Sequence, residues 1–168
     1  QAFFSEQAAA QAASSASRQS GTVLAEGSEP NPQMGAGTDV ISRLAAARTP
    51  LGKARLQALT LSALKKLVRQ AEEDGLAVSA LCLAANPAMT ALALGLRAES
   101  LAAAPYALPL EGGNWQQLPD LPPLWIPPQL SPFVGGDISA GYASIALARL
   151  FPDGSPEARA ADSAAFPA

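Results

Sequence analysis

Gly135-Gly136-Asp137 is the point in this sequence where residue types and spacing best fit ligand chemistry. The three residues follow the apolar pair Phe133-Val134 and precede a helix-forming stretch that starts at Ile138. At such a strand-to-helix junction, glycines leave backbone amides uncovered. The free amides at a helix start attract anions, and a neighbouring carboxylate can bind a hard cation. A nucleotide phosphate with its Mg²⁺ is the ligand class that answers to both. The same residues also satisfy a structural account, in which the glycines close a tight turn and Asp137 caps the helix. Asn86 has two readings of the same kind, as a helix cap or as a ligand contact. Asp39 and Arg43 stand one helical turn apart, a spacing that makes a surface pair worth about 0.3–0.5 kcal/mol.

The rest of the composition removes whole classes of chemistry. Among the 168 residues there is no histidine, which excludes Ser-His and Cys-His nucleophiles and the usual neutral-pH acid or base. The one cysteine, Cys82, cannot by itself hold zinc or an iron–sulfur cluster, and its place in an apolar run marks it as a small core residue. No pair of carboxylates stands out as general acid and base, so no catalytic residue is assigned. A net charge of −3 without a basic run argues against nucleic-acid binding. No stretch has membrane-spanning length, and the N-terminus lacks the blocks of a secretory signal. A lone thiol and these absences read as a cytoplasmic protein with no membrane partner.

The elements that must position these residues follow from periodicity and punctuation. With 5% aromatics and 15% charged residues, one α/β domain with a core of small side chains is expected. Residues 1–20 form an Ala/Gln/Ser-rich N-terminal segment, the domain spans 21–150, and 151–168 form a flexible tail. The opening glutamine, in place of an initiator methionine, points to a trimmed chain. Gly21 to Ala25 is read as a short strand, followed by a Gly- and Pro-punctuated loop to Gly37. A helix capped by Thr38 or Asp39 would bury Val40, Ile41, Leu44 and Ala45. From Leu51 to Asp74, the spacing of Leu56, Leu59, Ala63, Leu67 and Ala71 predicts a long helix stopped by Gly75. Leu76 to Ala84 reads as a buried strand, and Asn86-Pro87 opens a helix that Gly95 closes. Within 105–132 the prolines predict an extended connector of little regular structure, docked through Trp115, Trp125 and Ile126. A short strand at Pro132, the glycine turn and a helix to Leu150 complete the domain.

Three ordered segments resemble the ferredoxin-linked reductive activators of corrinoid proteins, members of the acetate kinase, sugar kinase, Hsp70 and actin superfamily. They are Asn31-Pro32-Gln33 with Gly37-Thr38-Asp39-Val40-Ile41-Ser42-Arg43, then Ala85-Asn86-Pro87-Ala88-Met89-Thr90 with Leu94-Gly95 and Ala104-Pro105-Tyr106, and finally Phe133-Val134-Gly135-Gly136-Asp137-Ile138-Ser139-Ala140-Gly141. The resemblance implies a partial ribonuclease-H-like lobe. It places Gly135, Gly136, Asp137, Asn86 and Asp39 along a nucleotide cleft between two lobes. It covers the family's middle: the glycine-threonine phosphate loops and the ferredoxin domain with its cluster cysteines do not occur in this sequence. Pro87 and Ala91 also replace polar residues of the family pattern.

What the resemblance implies is the middle domain of an ATP-dependent activator that returns corrinoid cobalt to Co(I) with electrons from a [2Fe–2S] ferredoxin domain. In the intact family the cofactors are ATP, Mg²⁺ and that cluster. The partners are the corrinoid protein and the remaining ferredoxin and C-terminal ATPase domains. The alternative is a truncated or decayed homologue acting as a binding or structural module.

Overall fold

The computed structural model describes residues 24–150, so the expectations for Gln1 to Gln19, for Gly21–Val23 and for 151–168 lie outside the described residues. Leu24 and Ala25 carry no regular structure. A 3₁₀ turn at Pro32–Ala36 opens on Asn31, whose side chain accepts from the Gln33 N–H. Helix α1 is Val40–Ala46 and helix α2 is Pro50–Glu73. Strand β1 is Leu81–Cys82, helix α3 is Pro87–Ala93, and a second 3₁₀ turn is Glu99–Leu101. Strands β2 (Asn114–Gln116) and β3 (Leu124–Ile126) precede helix α4 (Gly136–Leu150).

Local chemistry sets the helix ends as the sequence predicts. Asp39 and Ser42 form a reciprocal capping box on α1, and Asn86 accepts from the Met89 N–H at 2.9 Å at the start of α3. Helices α2 and α3 both stop in left-handed glycines, Gly75 at φ 81° and Gly95 at φ 66°. After each, the next amide reaches back to close the last turn: Leu76 N–H donates to the Ala71 carbonyl and Leu96 N–H to the Ala91 carbonyl. That double closure satisfies carbonyls that would otherwise be left open.

The sheet departs from expectation in two places. The run from Leu76 to Ala84 forms a strand only at Leu81–Cys82; Leu76 to Ala80 are half-buried or exposed and carry no ladder. An apolar run was read as covered on both faces, but only the alternate residues Leu81, Leu83 and Ala85 are buried. The proline-rich segment, expected to be irregular, supplies two of the three strands. The order is β1-β3-β2, with β3 in the centre, parallel to β1 and antiparallel to β2. Prolines bound β3 rather than prevent it. The missing N–H matters only inside a ladder, and Pro123 contributes its carbonyl, which accepts from Leu81 N–H at 2.8 Å. At Pro132 the expected short strand is instead a tight turn closed by the Ser131–Val134 bridge.

One face of this sheet carries the core. Leu81, Leu83, Leu124 and Ile126 pack against Leu56, Leu64 and Val68 of α2 and Met89, Leu92 and Ala93 of α3. The expected α2 face is rotated slightly: Leu59 and Ala63 are half-buried, while Thr60, Leu64 and Val68 join the interior. All seven residues of α3 are buried, so this short helix is a core element with no solvent face. The other sheet face shows Cys82, Trp125 and Trp115 in register, the two indoles meeting edge to face at 5.4 Å. Trp115 is exposed and Trp125 half-buried, so of the three expected docking residues only Ile126 is fully interior.

Candidate functional site

Asn86 and the glycine turn meet just beyond the carboxyl ends of the parallel strands β1 and β3, where ligands of open α/β sheets bind. A methyl group on Gly135 would lie 2.6 Å from Asn86 Cα and 2.6 Å from Pro87 Cδ, so the turn rests directly on the start of α3. Gly136 packs on Pro127 and on the buried Gln129, whose Nε2 donates to the Pro127 carbonyl at 3.2 Å. Gly135 is therefore required for close approach of two backbones, whereas a methyl on Gly136 would chiefly displace the Gln129 amide.

Of the amides of this turn only that of Asp137 is engaged; those of Gly135 and Gly136 have no acceptor among the described residues. Asp137 N–H donates to the Ala85 carbonyl at 3.3 Å, and the Ile138 and Ser139 amides donate to the Gly135 carbonyl. The Asp137 carboxylate is half-exposed and accepts from the Ile138 N–H at 2.9 Å. It sits in the first turn of α4 rather than at the cap position expected for it. The turn thus leaves two glycine amides that can face an anion and a single carboxylate that can face a hard cation.

Asp39 stands apart from this turn in its bonding. Its carboxylate accepts from the Ser42 N–H and hydroxyl, at 2.9 and 3.0 Å, which holds it below its usual pKa. The expected surface pair with Arg43 does not form, because Arg43 turns inward. Ile41 and Ala45, expected on the buried face of α1, are exposed instead; Leu44 is buried as expected, and Arg43 is buried with it. The Arg43 Nε donates to the Gly37 carbonyl at 3.0 Å and Nη1 approaches the Met89 sulfur at 3.5 Å, but Nη2 has no acceptor among the described residues. Burial pushes the Arg43 pKa down, partly offset by the Asp39 charge.

A covered guanidinium with no carboxylate in contact is a net cost. Replacing Arg43 with methionine loses the Nε bond to Gly37 and the weaker Nη1 contact with the Met89 sulfur, together about 1–2 kcal/mol, and relieves a desolvation penalty of several kcal/mol. Arg43→Met is therefore expected to stabilise the chain by about 1 kcal/mol, read as a higher urea midpoint. A clear loss of stability would mean that the guanidinium is adequately satisfied where it lies.

Gln33 is the other polar residue whose role spacing alone does not reveal. It is buried, and its Nε2 donates to the Leu56 carbonyl at 3.0 Å and to the Thr60 hydroxyl at 2.8 Å. The motif around Asn31-Pro32-Gln33 is thereby fastened to α2, and the motif ending in Arg43 to α3. Cys82 is half-buried, with its thiol pKa raised by burial, which keeps it protonated and unreactive. Among the described residues no group of three or more Cys, Asp or Glu side chains is placed to hold a metal. No described helix is long and apolar enough to cross a membrane. A cavity of about 310 Å³ lies away from the turn, between Ala25–Ser28 and Leu67, Gln70 and Ala71 of α2.

Residues 13–149, most of the chain, match the family described as the RACo middle region. The chain belongs to the RACo middle region family. It is also similar to a solved "Reductive activator for corrinoid,iron-sulfur protein", with 27% identity over 76% of the chain and a TM-score of 0.67. It spans 22% of that activator's length. No curated protein matches it. The likeness extends to the mixed α/β fold with its small sheet, and the three motif segments all fall inside the matched residues.

Proposed function

We propose that this chain is the middle domain of an ATP-dependent reductive activator, in which nucleotide turnover is coupled to electron delivery from a [2Fe–2S] ferredoxin domain to corrinoid cobalt. On this reading the fold is part of a ribonuclease-H-like lobe, the intact protein acts in the cytoplasm, and the corrinoid protein is its partner. The observation that carries it is the family match over 13–149, supported by the solved activator that shares this fold. The packing of Gly135 against Asn86 at the strand ends supports this reading. There Asp137 contributes a carboxylate to the Mg²⁺ side of the nucleotide, Asn86 and the glycines fix the helix that carries it, and Asp39 lies on the cleft margin. Bound Mg-ATP would supply the energy for an uphill electron transfer.

The test is made in a full-length activator carrying this middle domain. Asp137→Ala is expected to weaken Mg-ATP binding at least about tenfold, the worth of one charge-assisted contact, with the unfolding midpoint unchanged. Unchanged affinity overturns the role given to Asp137. The tight packing of Gly135 on Asn86 and Pro87 favours one other reading, a structural module that holds its neighbours without touching nucleotide. It predicts intact ATP affinity in the same variant, together with loss of coupling when Gly135 is altered.

A further inference from the structure

Helix α4 leaves the body of the domain. Its first turn is anchored, with Ser139 Oγ donating to the Pro128 carbonyl at 2.8 Å and Asp137 N–H to Ala85. From Gly141 to Ile145, however, every residue is exposed, with Tyr142 at 76% and Ile145 at 58%. A helix standing in water carries charged residues on its wet face, yet from Ile138 to Ala146 there is no charged side chain. The residues between the larger Ile138, Tyr142 and Ile145 are Ala, Gly and Ser, small enough for other elements to approach closely on every side. Around the base of the helix lie further exposed apolar side chains: Leu130, and Tyr106 with Phe133, whose rings meet edge to face at 5.0 Å.

The distribution of this apolar surface selects what covers it. A second copy packed about a two-fold axis, or a partner docked from one direction, would cover one stripe and leave the opposite face wet. A helical stretch with no charged face, as from Ile138 to Ala146, needs a fold built around it. Over three quarters of the solved activator lies outside the matched region, and that part is large enough to supply such a fold.

We infer that α4 is a core helix of the adjoining lobe: the remainder of the activator chain packs around Ile138–Ala146, with Tyr106, Leu130 and Phe133 as the collar where the two bodies meet. This inference rests on the proposed function, in that it takes the domain to be embedded in such an activator.

Hydrogen exchange tests it, comparing this chain alone with a chimera in which it replaces the matched segment of the solved activator. Amides from Ala140 to Ala146 are expected to exchange freely in the chain alone and about 100-fold more slowly in the chimera. Tyr142→Glu should remove that protection, whereas Trp115→Glu, on the exposed sheet face, should leave it intact. Protection in the isolated chain, or a concentration-dependent dimer that Tyr142→Glu dissociates, overturns the inference. A second measurement needs no chimera. Substituting Ile138, Tyr142 and Ile145 together by glutamate should leave the urea midpoint of this chain unchanged, and a large loss would mean that the stripe is already packed. A chimera with α4 protected but no ATP-dependent cobalt reduction sinks the activator reading alone, and the converse result sinks only the packing of α4.

Discussion

Gly135→Ala is expected to lower the stability of this domain by about 3 kcal/mol, at the upper end of what overpacking a core costs. The added methyl would lie 2.6 Å from Asn86 Cα and Pro87 Cδ and 2.8 Å from the Ala85 carbonyl oxygen. None of these atoms belongs to a flexible side chain that can swing aside, so relief requires α3 and α4 to separate. Separation would stretch the Asp137-to-Ala85 hydrogen bond, already 3.3 Å long. The same substitution at Gly141 should have the opposite sign. Its methyl meets nothing within 4 Å, and alanine in place of glycine inside a helix is favourable by about 0.5–1 kcal/mol. Urea unfolding of the two variants, with helix content followed by circular dichroism, separates them. If Gly135→Ala unfolds with the wild type, the close contact between α3 and the turn is not real.

The second large effect falls in the segment whose prolines read as a connector. Ile126→Ala is expected to cost about 3–4 kcal/mol, because the side chain is 0% exposed in the central strand, wedged between α2 and α3. Trp115→Ala removes a far bigger side chain and should cost at most about 1.5 kcal/mol, the worth of its edge contact with Trp125 plus a partial loss of burial. Equilibrium unfolding of both variants ranks them directly. Equal losses would contradict β3 as the centre of the sheet.

These pairs also mark what a reader of the sequence can and cannot see. Helix ends were legible because their causes are local: Asp39 and Asn86 each bond an amide three residues on, and Gly75 and Gly95 each take a conformation that costs other residues energy. The family motifs were legible for a similar reason, as short ordered strings within 31–141. Strands were not. Three-residue strands such as Leu124–Ile126 are too short for alternation to register, and their pairing depends on Leu81 and Cys82, distant in the chain. Arg43 was misplaced because helical spacing relates it to Asp39 but says nothing of Gly37 and Met89, which draw it inward. At the candidate site the residue types were readable, and so was the association of glycines with a turn. That the turn sits against Asn86, and that the Asp137 amide is taken up by Ala85, arises only once the two segments pack.

The strand order carries a consequence for how the chain comes to be folded. Because β1 pairs with β3 and not with a near neighbour, Leu81 and Leu83 have no ladder partner until Pro123 and Trp125 have been synthesised. Loop closure over such a separation is slow compared with helix formation. During synthesis, α2 and α3 can pair early, followed by the local hairpin of β2 with β3, which must then dock edge-on to complete the sheet. Until it does, the apolar underside of the two helices stays open. A ribosome pause or a chaperone acting between Ala93 and Ile126 would therefore decide the yield of native protein more than one acting earlier.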